Sequence, residues 1–193
     1  MPRRTFDTIL SSVGVALTVL LVAAGALMFW GYGFANSEVK TQLQAQEIFF
    51  PEADNPQLQE PAIGPFISKY AGQQLTTGEQ AKAYSDHYIA VHLEAVNDGK
   101  TYSQTSTESR ANPEDAELAG KVQTLFRGET LRGLLLNAYA FWKMGQLALI
   151  GSIVAFGAAI AMAVLTILGF RHRGKASPEE QVFAPPMAVA RPA

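Results

Sequence analysis

"ILSSVGVALTVLLVAAGALMFWGYGF", residues 9–34, contains no charged side chain, and no charge falls anywhere between Asp7 and Glu38. About 20 consecutive apolar residues are enough for a helix to cross the hydrocarbon layer of a bilayer. A second uncharged block, "MGQLALIGSIVAFGAAIAMAVLTILGF" at 144–170, is also long enough. Hydrocarbon offers backbone N–H and C=O groups no partner, so each block is expected to form a helix that satisfies them internally. The expected fold class is therefore an all-α membrane protein, with two transmembrane helices and an extracytoplasmic helical domain between them at 35–143.

The flanks set the expected orientation. Arg3 and Arg4 precede the first block, in the short segment 1–8, and Arg171, Arg173 and Lys175 follow the second. Basic residues stay on the cytoplasmic side, so both termini are expected there. The 35–143 segment carries 14 acidic against 9 basic residues, and a long translocated segment is largely exempt from the charge rule. Phe29, Trp30, Tyr32 and Phe34 close the first block, and Tyr139, Phe141 and Trp142 open the second, as one aromatic belt at the outer interface. "RRTF" (3–6) and "GFA" (33–35) also fit a cleaved export signal. The apolar core, however, exceeds the roughly 7–15 residues usual for one, which favours a retained anchor.

Within the second block Gly151, Ala155, Ala159 and Ala163 recur every four residues and share one helix face. Small residues let helix backbones approach closely. The face predicts a helix contact, with the first block or with another chain, and thus a protein partner or homo-oligomer through the second span. Gly14, Thr18 and Gly25 supply a less regular counterpart in the first block.

The segment between the blocks shows no strand-like alternation. "NSEVKTQLQAQEI" (36–48) continues as a polar helix, with a break expected near Gly31 or Gly33. "FFPEADNPQLQEPAIGPF" (49–66) packs in four prolines and predicts a loop pinned by Phe49, Phe50, Ile63 and Phe66, with a short helix after it. "TTGEQAKAYSDHYIAVHLEAVNDG" (76–99) predicts a helix with Thr76 and Glu79 as its capping box and "NDG" as its stop. "TYSQTSTESR" (101–110) is weakly helical. Asn112 with Pro113 then predicts a helix start, and that helix runs on into the second block. The residues after 170, rich in proline and alanine from 176 on, read as a disordered cytoplasmic tail, 171–193.

Chemistry is harder to find. The net charge of −2 is too weak to imply nucleic acid, and the absence of cysteine excludes thiolate metal sites and a cysteine nucleophile. His87 and His92 sit in "DHYIAVHLE" (86–94), five residues apart. Metal-binding histidines on a helix are usually four apart, and a spacing of five turns them about 140° from each other at 3.6 residues per turn. The same arithmetic groups His92 with Ser85 and Tyr88, and His87 with Tyr84 and Val91. "PEADN" (51–55) lacks the glycine and spaced oxygens of a calcium loop. Phosphate-loop, dinucleotide and nucleophile-elbow motifs are missing as well. No metal or cofactor is expected. Two polar groups remain as candidates. Arg127, Glu129 and Arg132 form a possible docking patch, and Tyr84, Tyr88 and His92, with Phe126 and Tyr139 nearby, form a possible ligand-lining set.

"IGPFISKYAGQQLTTGEQAKAYSDHYIAVHL" (63–93) and "VQTLFRGETLRGLLLNAYAFWKMGQ" (122–146) resemble a group of small two-span membrane proteins from actinobacteria. Some of that group are labelled aromatic ring-opening dioxygenase. The resemblance covers nearly the whole chain outside the tail and implies the two-span architecture. The label would require two histidines and a carboxylate on one metal face. Here His87 and His92 point apart, and His172 is expected across the membrane from both, so the residues give the label no support. The expected function is a non-enzymatic interaction or accessory subunit of a membrane or cell-envelope complex. The alternative is a membrane-anchored sensor of lipid or a small ligand, and a metal-dependent ring-opening dioxygenase using His87 and His92 ranks last.

Overall fold

The computed structural model describes residues 1–177 and 179–182. Among them the fold is helical, without strands. The helices are α1 (Arg3–Gln44), α2 (Gly64–Ile67), α3 (Gly78–Tyr84), α4 (Ala90–Glu94), α5 (Tyr102–Ala111) and α6 (Ala116–Lys175). Single 3-10 turns cover Pro56–Gln59 and Ser68–Tyr70, and one π-helical turn, Ser85–Ile89, joins α3 to α4. Both α1 and α6 are long and apolar enough to cross a membrane. The chain forms two compact units, Met1–Trp30 with Ala148–Ala193 and Gly31–Leu147.

In the first unit α1 and α6 pack antiparallel: a Cβ on Gly14 would meet Thr166, one on Gly25 would lie 2.9 Å from the Phe156 ring, and one on Gly151 would lie 2.7 Å from Met28 Sδ. Positions pair with falling numbers on one helix and rising numbers on the other. Ala155 and Ala159 are buried in this seam. The small-residue face is thus turned to the first helix of the same chain. The seam also buries Ser11, Ser152 and Thr166, whereas Leu20, Leu27, Ile150, Ile160 and Leu165 are exposed.

The end of α6 differs from the expected tail. Residues 171–175 close the helix, and beyond it Arg3 N–H donates to the Glu180 carbonyl at 2.9 Å and Val182 N–H to that of Met1 at 3.0 Å. Arg3 also pairs with the Glu180 carboxylate at 3.0 Å. His172 Nε2 lies 3.0 Å from Arg3 Nη2, and since arginine only donates, that imidazole nitrogen accepts. The rest of the expected tail, 183–193, lies outside the described residues.

In the second unit α1 runs to Gln44 without a break at Gly31 or Gly33. Ala35, Val39 and Leu43 recur at four-residue steps and are buried. A Cβ on Gly145 would come 2.9 Å from that of Ala35, and Gln146 Nε2 donates to Asn36 Oδ1 at 3.3 Å, so the two helices stay in close contact here. Val39, Leu43 and Leu135 join Phe50, Leu58, Ile63, Ile67, Leu75 and Ala81 in one core. Of the four apolar residues expected to pin the 49–66 loop, Phe50 and Ile63 are buried, whereas Phe49 and Phe66 stay exposed.

Three helix starts rest on caps one to three residues away from the expected ones, or on caps not foreseen. The capping box of α3 is Thr77 with Gln80: the Gln80 amide oxygen accepts from the Thr76 and Thr77 N–H groups at 2.8 and 3.0 Å, while Glu79 is taken by Lys69 and Tyr70. The "weakly helical" 101–110 segment is a full helix, since Thr101 and Gln104 form a second capping box. The last helix begins at Ala116, where Asp115 Oδ1 accepts from Leu118 N–H at 2.9 Å; Asn112 instead closes α5. The "NDG" stop works as expected, with Asp98 and Gly99 at φ +51° and +76°.

Gly78 opens α3 against the Trp142 side chain, and a Cβ there would collide with that residue's own Cβ, which cannot swing away. Gly133 sits inside α6 with open space around its Cα. Gly78→Ala should therefore destabilise the purified chain by about 1–3 kcal/mol. Gly133→Ala should instead stabilise it by about 0.5–1 kcal/mol through helix propensity alone. Denaturation in detergent, followed by circular dichroism, reads both; a neutral Gly78→Ala would show that this contact is not close.

Candidate functional site

The stretch that carries two histidines is distorted. From Ser85 to Ile89 the helix widens to a π turn, with Ala90 N–H donating five residues back to the Ser85 carbonyl. Ser85 is fully buried there. Arg132 Nε donates to the same carbonyl at 3.3 Å, and Ser85 Oγ lies 3.5 Å from the Arg132 carbonyl. Arg132 also holds Glu129 at 3.0 Å and lies 3.9 Å from Asp86, itself paired with Lys82. Of the expected docking patch, the structure brings Glu129 and Arg132 together. Arg132 is largely occupied in tying α6 to the π turn, and the Arg127 side chain is exposed.

The π turn also resets the face arithmetic, because a five-residue step no longer means a 140° divergence. The histidines nevertheless keep separate company. His87 stacks on Phe66, with ring centroids 3.7 Å apart and planes at 6°. His92 lies against Tyr88, with centroids at 4.6 Å. Its Nδ1 is 2.6 Å from the Tyr88 carbonyl, which can only accept, so Nδ1 carries the proton and Nε2 accepts from Gln57 Nε2 at 2.8 Å. Tyr88 OH closes the triangle by donating to Gln57 Oε1 at 2.8 Å. Among the described residues no three His, Asp or Glu side chains are grouped as a metal site.

Tyr84, Tyr88 and His92 are indeed brought together, but as a stacked row rather than a cavity wall. Tyr84 packs on Phe50 at 5.3 Å and on Tyr88 at 4.8 Å. Phe126 pairs with Tyr102 at 5.8 Å, and Tyr139 with Trp142 at 6.1 Å.

A well-formed concavity of this unit lies elsewhere. It is a groove of about 480 Å3 between α1 and α6, lined on one side from Phe34 to Gln46 and Ile48, and on the other from Leu131 to Phe141. Its floor is Val39, Leu43 and Leu135, the outer face of the core. Leu134 and Phe141 stand exposed on its wall. Polar groups are confined to Glu38, Gln42, Gln46 and Asn137. This groove was missed in the sequence, although a signal exists. Val39 and Leu43 interrupt a polar run at four-residue spacing, and the apolar residues of 131–141 cover more of the helix than one core face needs.

Comparison with protein-family models, with curated proteins and with solved structures finds no match.

Burial raises the Tyr84 hydroxyl from its ordinary value near 10 to about 12, with Tyr88 adding to the shift. Below pH 10 the hydroxyl is neutral whether the chain is folded or unfolded. Between 10 and 12 only the unfolded chain ionises, so stability falls as pH rises through that window. Melting temperatures measured from pH 9 to 12 should decline less steeply in Tyr84→Phe than in the parent chain. Equal slopes would show that this tyrosine is not held neutral by the fold.

Proposed function

We propose that this chain is a two-span integral membrane protein with both termini cytoplasmic, and that its 35–143 segment is an extracytoplasmic helical domain serving as an interaction or accessory subunit of a membrane or cell-envelope complex. The observation that carries the membrane part is the inverted distribution of side chains along α1 and α6. Only 11% and 17% of their most apolar windows are buried, and what is buried is glycine, alanine, serine and threonine. Each leucine-sized side chain left in water forgoes about 1.5–3 kcal/mol, so a shell of them demands an apolar solvent. The basic flanks supply the orientation.

The interaction part is supported by aromatic groups on the surface of the Gly31–Leu147 unit: Phe66 stacked on His87, and Tyr102 against Phe126. Aromatic side chains are enriched where partner proteins anchor. The Gly151–Ala163 face of α6 packs on α1, so a protein partner meets the outer domain or the exposed aliphatic faces instead. No cofactor and no nucleic acid enter this reading.

The lack of native cysteine makes topology directly readable. Ala119→Cys should react with a membrane-impermeant maleimide in intact cells, whereas Arg173→Cys should react only after permeabilisation. The opposite pattern, or equal labelling of both, would overturn the orientation. Recovery of the chain in the soluble fraction after lysis would remove the membrane reading itself. In blue-native electrophoresis after mild detergent extraction, the subunit role requires a band larger than the lone chain.

A further inference from the structure

The groove between α1 and α6 has dimensions that select its occupant. Its wall on α1 runs from Phe34 to Leu43, about 14 Å of helix at 1.5 Å per residue, and continues past the helix end to Gln46 and Ile48. Its volume of about 480 Å3 lies in the range of sites that take a single slender apolar ligand. A third helix is about 10–12 Å across and could lie over the groove but not inside it. An extended peptide would bring a row of backbone donors and acceptors, and an apolar floor with four polar side chains at its margin leaves most of them unanswered.

We propose that this groove takes one acyl chain of a neutral or zwitterionic membrane lipid. The inference rests on the membrane reading above. Phe34 ends the apolar 9–34 block and Phe141 stands three residues before the 144–170 block, so the groove begins where the expected outer interface lies. The remaining apolar lining, Val39, Leu131 and Leu135, lies farther from both blocks along the sequence. Charge narrows the headgroup. Glu38 is the only charged lining residue, and no lysine or arginine is present to meet a carboxylate or a net negative phosphate. A fatty acid lying with its carboxylate at the Phe34 end would face like charge. What the groove recognises is the chain; the headgroup stays in the interfacial water.

The full chain reconstituted in nanodiscs of phosphatidylcholine bearing a diazirine on its acyl chain provides the test. After irradiation, peptide mass spectrometry should find adducts at residues 131–135, besides those on exposed span positions such as Leu17, Leu20 and Ile160. Ala138→Trp and Gln42→Trp fill the groove from opposite walls, and each should cut the 131–135 adducts about tenfold while leaving the span adducts unchanged. Circular dichroism melting identifies which variant has kept its fold; Gln42 is exposed, so at least that substitution should be tolerated. Adducts at 131–135 no more frequent than at the exposed Tyr102–Phe126 pair would overturn the proposal, as would adducts that persist in both filled variants. Stronger labelling by a diazirine fatty acid than by the phospholipid would overturn the assignment of the headgroup class. If the spans themselves carry no adducts, it is the membrane reading that falls.

Discussion

Close approach of two antiparallel helices through residues too small to hold them apart is the constraint on which the other features depend. In one unit the contact is made by Gly14, Gly25 and Gly151, and in the other by Gly145 against Ala35. A methyl group at Gly145 would need to sit 2.9 Å from its neighbour, well inside van der Waals distance. Packing this close extracts dispersion energy from the backbone itself, and the only room it leaves for large side chains is over the glycines, where Phe156 meets Gly25 and Met28 meets Gly151. The bulky aliphatic residues must then face outward. In water that arrangement would be costly; in an apolar solvent it costs nothing. The seam and the exposed shell are two consequences of one choice of residue size.

The Gly31–Leu147 unit solves a different problem, that of building a small core around two helices already paired. Its loop and short helices contribute Phe50, Ile63, Ile67, Leu75 and Ala81, and the long helices contribute Val39, Leu43 and Leu135. Burying α3 against α6 places Ser85 at a fully enclosed position beside Arg132. The π turn offers the Ser85 carbonyl to both the Ala90 N–H and the Arg132 guanidinium. An extra residue in the turn is tolerated because the arginine answers the carbonyl that the widened helix presents sideways. That same arginine is too committed to serve as a free docking charge.

Much of this was legible in the primary structure. Composition alone located the two long helices, because a charge-free run of that length leaves a water-facing helix no polar side to present. The every-fourth-residue pattern from Gly151 to Ala163 marked a contact face but not its partner, since small residues signal closeness and not identity. The α3 cap is ambiguous in sequence because two candidates stand side by side. Thr76 and Thr77 are chemically equal, and only the reach of Gln80 decides between them. The π turn left no trace, because it arises from how α3 meets α6 and not from local propensity. The face arithmetic puts Tyr84 in the His87 row, whereas the structure stacks it with Tyr88 and, through Tyr88, with His92, a four-residue row that regular helix spacing also allows. The groove was invisible for a related reason. A concavity belongs to two helices and to the width of the apolar surface that each brings, which a reading of either alone does not sum.

The contrast between the histidine region and the groove bears on where binding free energy can come from. A group contributes to affinity only to the extent that it is unanswered in the free protein. The Gln57–Tyr88–His92 triangle answers itself: the imidazole, the amide and the tyrosine each give and receive within the set. His87 is likewise covered by Phe66. A ligand arriving there would have to replace these interactions before adding any of its own. The groove is the reverse case. Its apolar walls gain nothing from water, and its four polar side chains stand at the margin, where hydration satisfies them at little cost. Uncovered apolar surface, and not the more conspicuous chemistry of the histidines, is what this fold has left to offer.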